Sequence, residues 1–520
     1  MISNLVSQIK FIVEDFEGLE NTKDSKYKNG WYEFGKTSTH VKQHTEKINH
    51  RLGEKYLTVL NKDKVSFGGF GKTVNHLIEL RQDSDYINFY IHTFKEFRCD
   101  TLTIEILEDD NNDEQFEKDK DDLWEYSYPI KKSIEWQLVS IPLNLFSSES
   151  QGGNNIFDVD HNSGRLIEIN FNLQSLNGQF GIDFITFSDL DLSKNNSKIL
   201  QPGNGACLGL WAGKNSEDNF TENTKKIEQH FKNYGATKKM GIVHLFVPFF
   251  YENDEKTDNY FSVEKINNIL HQDYIPMITL ESRFGKVHKE RSNLKKIIEG
   301  KYDPILENLA NRIKKVDGMV LLRILHEFNG DWYPWSISKN NNNPEMLKAA
   351  FIHMHQIFQK ENVENVKFIW CPNSTSIPQK NWNFMLEAYP GDEYVDFTGI
   401  DIYNGAGKSV CWKSFLMEGI EAYYLLNENF PNKPILICET ASREKNNESE
   451  DHVQTKKEWI RQMSLSLKQE MKNVKLLCWF NETQTFPINS SKESEKSYYE
   501  NIISNSYFKE GVECIYDLLR

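Results

Sequence analysis

Between residues 206 and 520 eight short apolar runs recur with helix-patterned segments between them: Cys207 to Trp211, Gly241 to Pro248, Pro276 to Leu280, Val320 to Leu325, Val366 to Trp370, Val395 to Ile400, Pro434 to Cys438 and Val474 to Phe480. Runs this short, bounded by turn residues, read as strands buried on both faces. Strand alternating with helix eight times predicts a (β/α)8 barrel, whose chemistry sits at the C-terminal ends of the strands. Functional residues are therefore expected directly after the runs.

Upstream the pattern is different. From about Phe11 to Leu192 short segments alternate with period two, as in Tyr86 to Ile91 and Thr101 to Ile106, and turn residues separate them. That pattern predicts half-buried strands and an all-β, antiparallel sandwich. The acidic run Glu108 to Asp122 is expected to be a solvated loop. Polar, turn-rich residues around Ser193 to Ser197 and Gln201 to Gly205 mark a linker. The expected organisation is a sandwich over 1–195, a linker over 196–205 and the barrel over 206–520.

Charge and composition narrow the ligand. With 61 Lys+Arg against 76 Asp+Glu the formal net charge is -15, which repels a phosphate backbone and argues against nucleic acid. No stretch approaches the roughly 18 apolar residues of a bilayer span. Aromatic residues make up 13 %, including 11 Trp and 22 Tyr, and rings with one polar edge suit flat, hydroxyl-rich ligands such as sugars. The 7 cysteines are scattered without metal-site spacing and read mostly as buried thiols. Met1 to Val6 do not open a basic segment followed by an apolar run, so no signal peptide is visible.

The fourth run continues as Leu325-His326-Glu327-Phe328-Asn329-Gly330-Asp331-Trp332-Tyr333-Pro334-Trp335, and the seventh ends Cys438-Glu439-Thr440. Glutamates at the ends of strands four and seven face one another across a barrel mouth. Such a pair can cleave a glycosidic bond, one carboxyl protonating the leaving oxygen and the other attacking the anomeric carbon. A lone glutamate there reads as a rim salt bridge; the pair changes that reading. Trp479, in the eighth run, would supply a stacking floor, and the Tyr403 hydroxyl, after the sixth, could hold a catalytic carboxylate ionised. Each is equally at home in a core. His326 could donate to a sugar hydroxyl or to the opposite glutamate, or be a buried, satisfied histidine.

The stretch Leu322 to Tyr333, with Glu439 and Trp479 downstream, resembles glycoside hydrolase family 26 over roughly 205 to 510. His326 fits that family's replacement of the asparagine found before the acid in most of its clan. The resemblance implies Glu327 as general acid/base, Glu439 as nucleophile, Tyr403 positioning Glu439, and Trp332 and Trp479 lining the subsites. It implies a retaining endo-β-glycanase without a catalytic cofactor, with β-1,4-mannan as substrate. Alternatives are a mixed-linkage β-1,3-1,4-glucan hydrolase of lichenase type, towards which Glu281-Ser282-Arg283 and Trp332-Tyr333-Pro334-Trp335 lean, and a catalytically silent polysaccharide-binding protein. The partner is then a β-linked polysaccharide, the location extracellular or cell-surface, and the chain a monomer.

The opening Glu14-Asp15-Phe16-Glu17-Gly18, with Trp136 to Leu143 and Gly181 to Ile185, is similar to a jelly-roll carbohydrate-binding module of family 11. Such modules often hold a structural calcium between first and last strands. Glu17 and Asp183 would offer the hard oxygen ligands, unless they are ordinary surface carboxylates.

Overall fold

The computed structural model describes residues 9–18, 30–35, 37–44, 51, 53–61, 67–94, 97–149, 152–174, 179–194, 205–213, 220–248, 261–281, 294–405, 412–444 and 455–516. The chain divides into two compact units: Met1–Leu200 with Gly407–Tyr424 and Glu448–Gln454, and Gln201–Ala406 with Leu425–Asn447 and Thr455–Arg520. The expected linker lies, apart from Gly205, outside the described residues.

The first unit is all-β. Its strands are β1 (Ile9–Glu14), β2 (Trp31–Gly35), β3 (Thr37–Gln43), β4 (Lys55–Asn61), β5 (Phe67–His76), β6 (Tyr86–Thr93), β7 (Thr101–Asp109), β8 (Leu123–Pro129), β9 (Gln137–Pro142), β10 (Ser147–Ser148), β11 (Arg165–Gln174) and β12 (Gln179–Ser188). They form two antiparallel six-stranded sheets, β3-β4-β12-β6-β9 with β1 on β12, and β10-β8-β7-β11-β5-β2. Inward-facing residues of both sheets share one core, in which Phe70 stacks on Phe171 at 5.1 Å and Phe89 meets Phe171 edge-on at 5.9 Å. Period-two alternation produces this: every second side chain of a strand faces the other sheet.

One expectation fails in this unit. The acidic run is not solvated throughout, because Glu108, Asp109, Asp121 and Asp122 are all 0 % exposed. Its ends belong to β7 and the entry to β8, and the turn between them folds onto Asp109, which accepts from the Asp113 and Glu114 amides, and Asp121, which accepts from the Asp110 and Glu117 amides. Glu17 and Asp183 are buried neighbours rather than surface carboxylates, yet they fit calcium poorly. Glu17 Oε1 already accepts from the Glu54 and Lys55 amides at 2.7 and 2.8 Å. Asp183 Oδ2 pairs with His44 Nε2 at 2.8 Å and Oδ1 accepts from the Phe184 amide. Both Asp183 oxygens are thus already occupied, one by the His44 ring and one by a backbone amide.

The second unit holds β13 (Ala206–Trp211), β14 (Ile242–Pro248), β15 (Ile275–Glu281), β16 (Val320–Ile324), β17 (Val366–Trp370), β18 (Phe397–Asn404), β19 (Ile435–Ser442) and β20 (Val474–Phe480). All pairings are parallel, and β13 pairs with both β20 and β14, closing an eight-stranded barrel. Each predicted run is one of these strands. Helices such as α1 (Pro344–Lys360), capped by Asn343, and α2 (Lys456–Gln469), capped by Thr455, carry the chain back between strands. No helix among the described residues is long and apolar enough to cross a membrane.

The barrel's base is filled by Ile242, Ile275, Met277, Leu321, Ile369 and Leu436, with Ile515 from the C-terminal segment. Cys99, Cys371, Cys438 and Cys478 are buried thiols, as read for most of the cysteines, while Cys207, at the start of β13, is disulfide-bonded to Cys514. The bond closes a sequence separation of 307 residues and lies at the end of the barrel opposite the strand C-termini. Cys514→Ser is expected to cost about 2–4 kcal/mol of stability and to leave kcat unchanged. Denaturant titration with and without reductant, beside initial rates, checks both.

Candidate active site

Beyond β16 the backbone turns sharply, and both Leu325 and Glu327 take φ of +50°. Left-handed conformations at non-glycine residues cost of order 1–3 kcal/mol each and persist where surrounding structure holds them. Here the Glu327 amide donates to the Cys371 carbonyl at 2.8 Å. Asn329 and Asn373 exchange two more bonds, Asn329 Nδ2 to Asn373 O at 2.9 Å and Asn373 N to Asn329 Oδ1 at 2.8 Å. Gly330 is needed for a different reason: a Cβ there would lie 2.4 Å from the Trp332 ring. Without it the indole folds back, and Trp332 Nε1 donates to Glu327 Oε2 at 2.7 Å.

Asp401 on β18 and Glu439 on β19 are register partners, and a shift in the ladder at Ile400/Asp401 precedes them. Such irregularities re-aim side chains. Arg323, inside β16 and 0 % exposed, joins the two: Nη1 donates to both Asp401 oxygens at 2.7 and 2.6 Å, Nη2 donates to Glu439 Oε1, and Nε donates to Thr279 Oγ1 at 2.8 Å. Tyr403 donates its hydroxyl to Glu439 Oε2 at 2.5 Å. Both Glu439 oxygens therefore accept bonds that favour the carboxylate.

Oxygens of Glu327, Asp401 and Glu439 all lie within 4.8 Å of one another. This set does not suit a metal, since the Arg323 guanidinium already supplies positive charge between two of the three. Burial holds the Glu327 carboxyl above its usual range, opposed by the Trp332 bond and the Arg323 charge. The site thus pairs an acid biased towards its proton with a carboxylate bonded as an anion.

Of the residues predicted from sequence, Glu327, Glu439, Tyr403 and Trp332 are brought together. His326 is buried beside them, its ring 4.7 Å from Tyr333 and 5.4 Å from Trp335, and its carbonyl accepts from Trp335 Nε1 at 2.6 Å. Trp479 is not at the mouth. It is 0 % exposed, meets Trp459 and Tyr498 edge-on at 6.3 and 5.4 Å, and donates to the Phe486 carbonyl. The next residue faces the other way: Phe480 stacks on Trp211 at 4.2 Å and meets Tyr403 edge-on at 5.9 Å. Ser282 and Arg283 lie outside the described residues.

Fold and site together define a (β/α)8 barrel with a paired-carboxylate mouth. Residues 274–417 match the model of Glycosyl hydrolase family 26. Endoglucanase H of Acetivibrio thermocellus is 31 % identical over 309 residues, 58 % of this chain and 31 % of that protein. A mannan endo-1,4-beta-mannosidase of Bacillus subtilis is 29 % identical over 115 residues, 20 % of this chain and 30 % of that one. The alignments thus span about a third of either relative's length. The solved structure of a Bacillus subtilis mannanase aligns with 57 % of this chain and 86 % of its own at 18 % identity, TM-score 0.42.

Proposed function

We propose that the chain is an O-glycoside hydrolase that cuts internal linkages of a β-1,4-mannan with retention of configuration, acting outside the cell. The observation that carries this reading is the carboxylate pair, with Glu327 and Glu439 oxygens within 4.8 Å. Retaining glycosidases hold their two carboxyl groups about 5–5.5 Å apart, whereas inverting enzymes need about 6.5–9.5 Å to admit a water. Glu327 protonates the leaving oxygen while Glu439, aligned by Arg323 and Tyr403, attacks the anomeric carbon. Glu327 then activates the water that releases the sugar. Mannan is supported by the matched mannosidase and by the family-26 segment. A second reading, a β-glucan backbone, is favoured by the longer alignment with a protein named as an endoglucanase.

The test is reducing-sugar release from glucomannan, galactomannan, barley β-glucan, lichenan and β-1,3-xylan, with Glu439→Ala as blank. Release from both mannans is expected. Release only from barley β-glucan and lichenan would replace mannan by the second reading, and silence on all five would overturn both.

A further inference from the structure

The buried end of the acidic run is unexplained by any hydrolytic role. Asp122, at the entry to β8, is 0 % exposed, and neither of its carboxylate oxygens has a hydrogen-bond partner. Burying a carboxylate without a partner is costly. Its oxygens point at others of the same kind: ligand atoms of Glu108, Asp110 and Asp122 all lie within 4.8 Å of one another. Asp158 completes the group, its amide donating to Glu108 Oε1 at 2.9 Å while its buried Oδ1 also has no partner.

The donors that do reach these residues are neutral. Trp124 Nε1 bonds Glu108 Oε2 at 3.0 Å, and the Asn154 amide and side chain reach Asp110 and Asp158 at 3.2–3.3 Å. Backbone presses on the same oxygens, for a Cβ on Gly153 would lie 2.1 Å from Asp122 Oδ1 and one on Gly164 2.7 Å from Glu108 Oε1. We propose that Glu108, Asp110, Asp122 and Asp158 form a calcium site in the sandwich unit.

The chemistry selects the ion. All four ligands are hard oxygens, the preference of calcium, with no histidine or thiolate for a softer metal. Magnesium keeps several of its waters, which the buried Asp122 does not favour.

Trp124 gives the site its own reporter. The full-length protein, stripped with chelator, is titrated with terbium while the indoles are excited, and calcium is then added. Sensitised emission that calcium displaces is expected from the wild type. It should fall at least tenfold in Asp122→Asn, which removes the buried negative charge and one of the two ligand oxygens. It should fall likewise in Trp124→Phe, which loses the antenna but keeps calcium in equilibrium dialysis. If Asp122→Asn does not fold, as judged by far-UV circular dichroism, Trp124→Phe decides. No calcium-displaceable emission from the wild type, or equal emission from both variants and the wild type, overturns the site.

Discussion

Glu439→Ala is expected to lower kcat on polysaccharide by roughly 10⁴-fold or more, since it removes the group that forms the covalent intermediate. The fold should survive. Glu439 is held by bonds from Arg323 and Tyr403, and alanine leaves a small polar space at the mouth rather than a void in the barrel core. The loss leaves Arg323 paired with Asp401, so the guanidinium is not stranded without a counter-charge. An added small anion such as azide can enter the vacated space and attack the anomeric carbon from the face Glu439 occupied. Recovery of turnover with an activated aryl glycoside, giving a glycosyl azide of inverted configuration, is the expected signature. Activity within tenfold of wild type in the unassisted variant would remove Glu439 from the proposed role.

The barrel was legible because its strands are buried on both faces, so each stands out as an apolar run against the polar surfaces of the helices. The same burial hid which face each residue takes. Cys478 lies in the barrel core cluster, so period two sends Trp479 to the helix layer and returns Phe480 to the mouth. Counting along the strand from an interior neighbour would have chosen Phe480. Arg323 and Asp401 were missed although a signal was present: an arginine inside an apolar run is almost never fully buried without a partner. The acidic run misled because charge density reads as solvation, while it begins inside β7 and ends at the residue before β8, where only the fold supplies the surroundings. The carboxylate separation was beyond reach, since it depends on the turn at Leu325 and Glu327 and the shift before Asp401.

Glu327→Gln is expected to reduce kcat/KM by about 10²–10⁴-fold on substrates whose leaving group needs a proton. With a dinitrophenyl glycoside, whose leaving group needs none, the first step should be nearly unaffected. The second step still lacks its base, so a glycosyl-enzyme on Glu439 should accumulate as a burst visible by intact-protein mass spectrometry. The pH profile provides an independent reading. Burial raises the Glu327 carboxyl, so its acid form persists above the ordinary range, and wild-type activity should fall as pH rises through that raised value. The amide does not titrate, and the variant should lose this basic limb. Stability moves by the same linkage. Because the folded state holds the Glu327 proton more tightly than the unfolded chain, wild-type stability falls as pH rises from the ordinary glutamate range to the raised folded value, then levels off. Glutamine escapes that loss, and the variant should melt at or above the wild-type temperature on the alkaline side of the window. A basic limb that persists unchanged in Glu327→Gln would place the proton donor elsewhere.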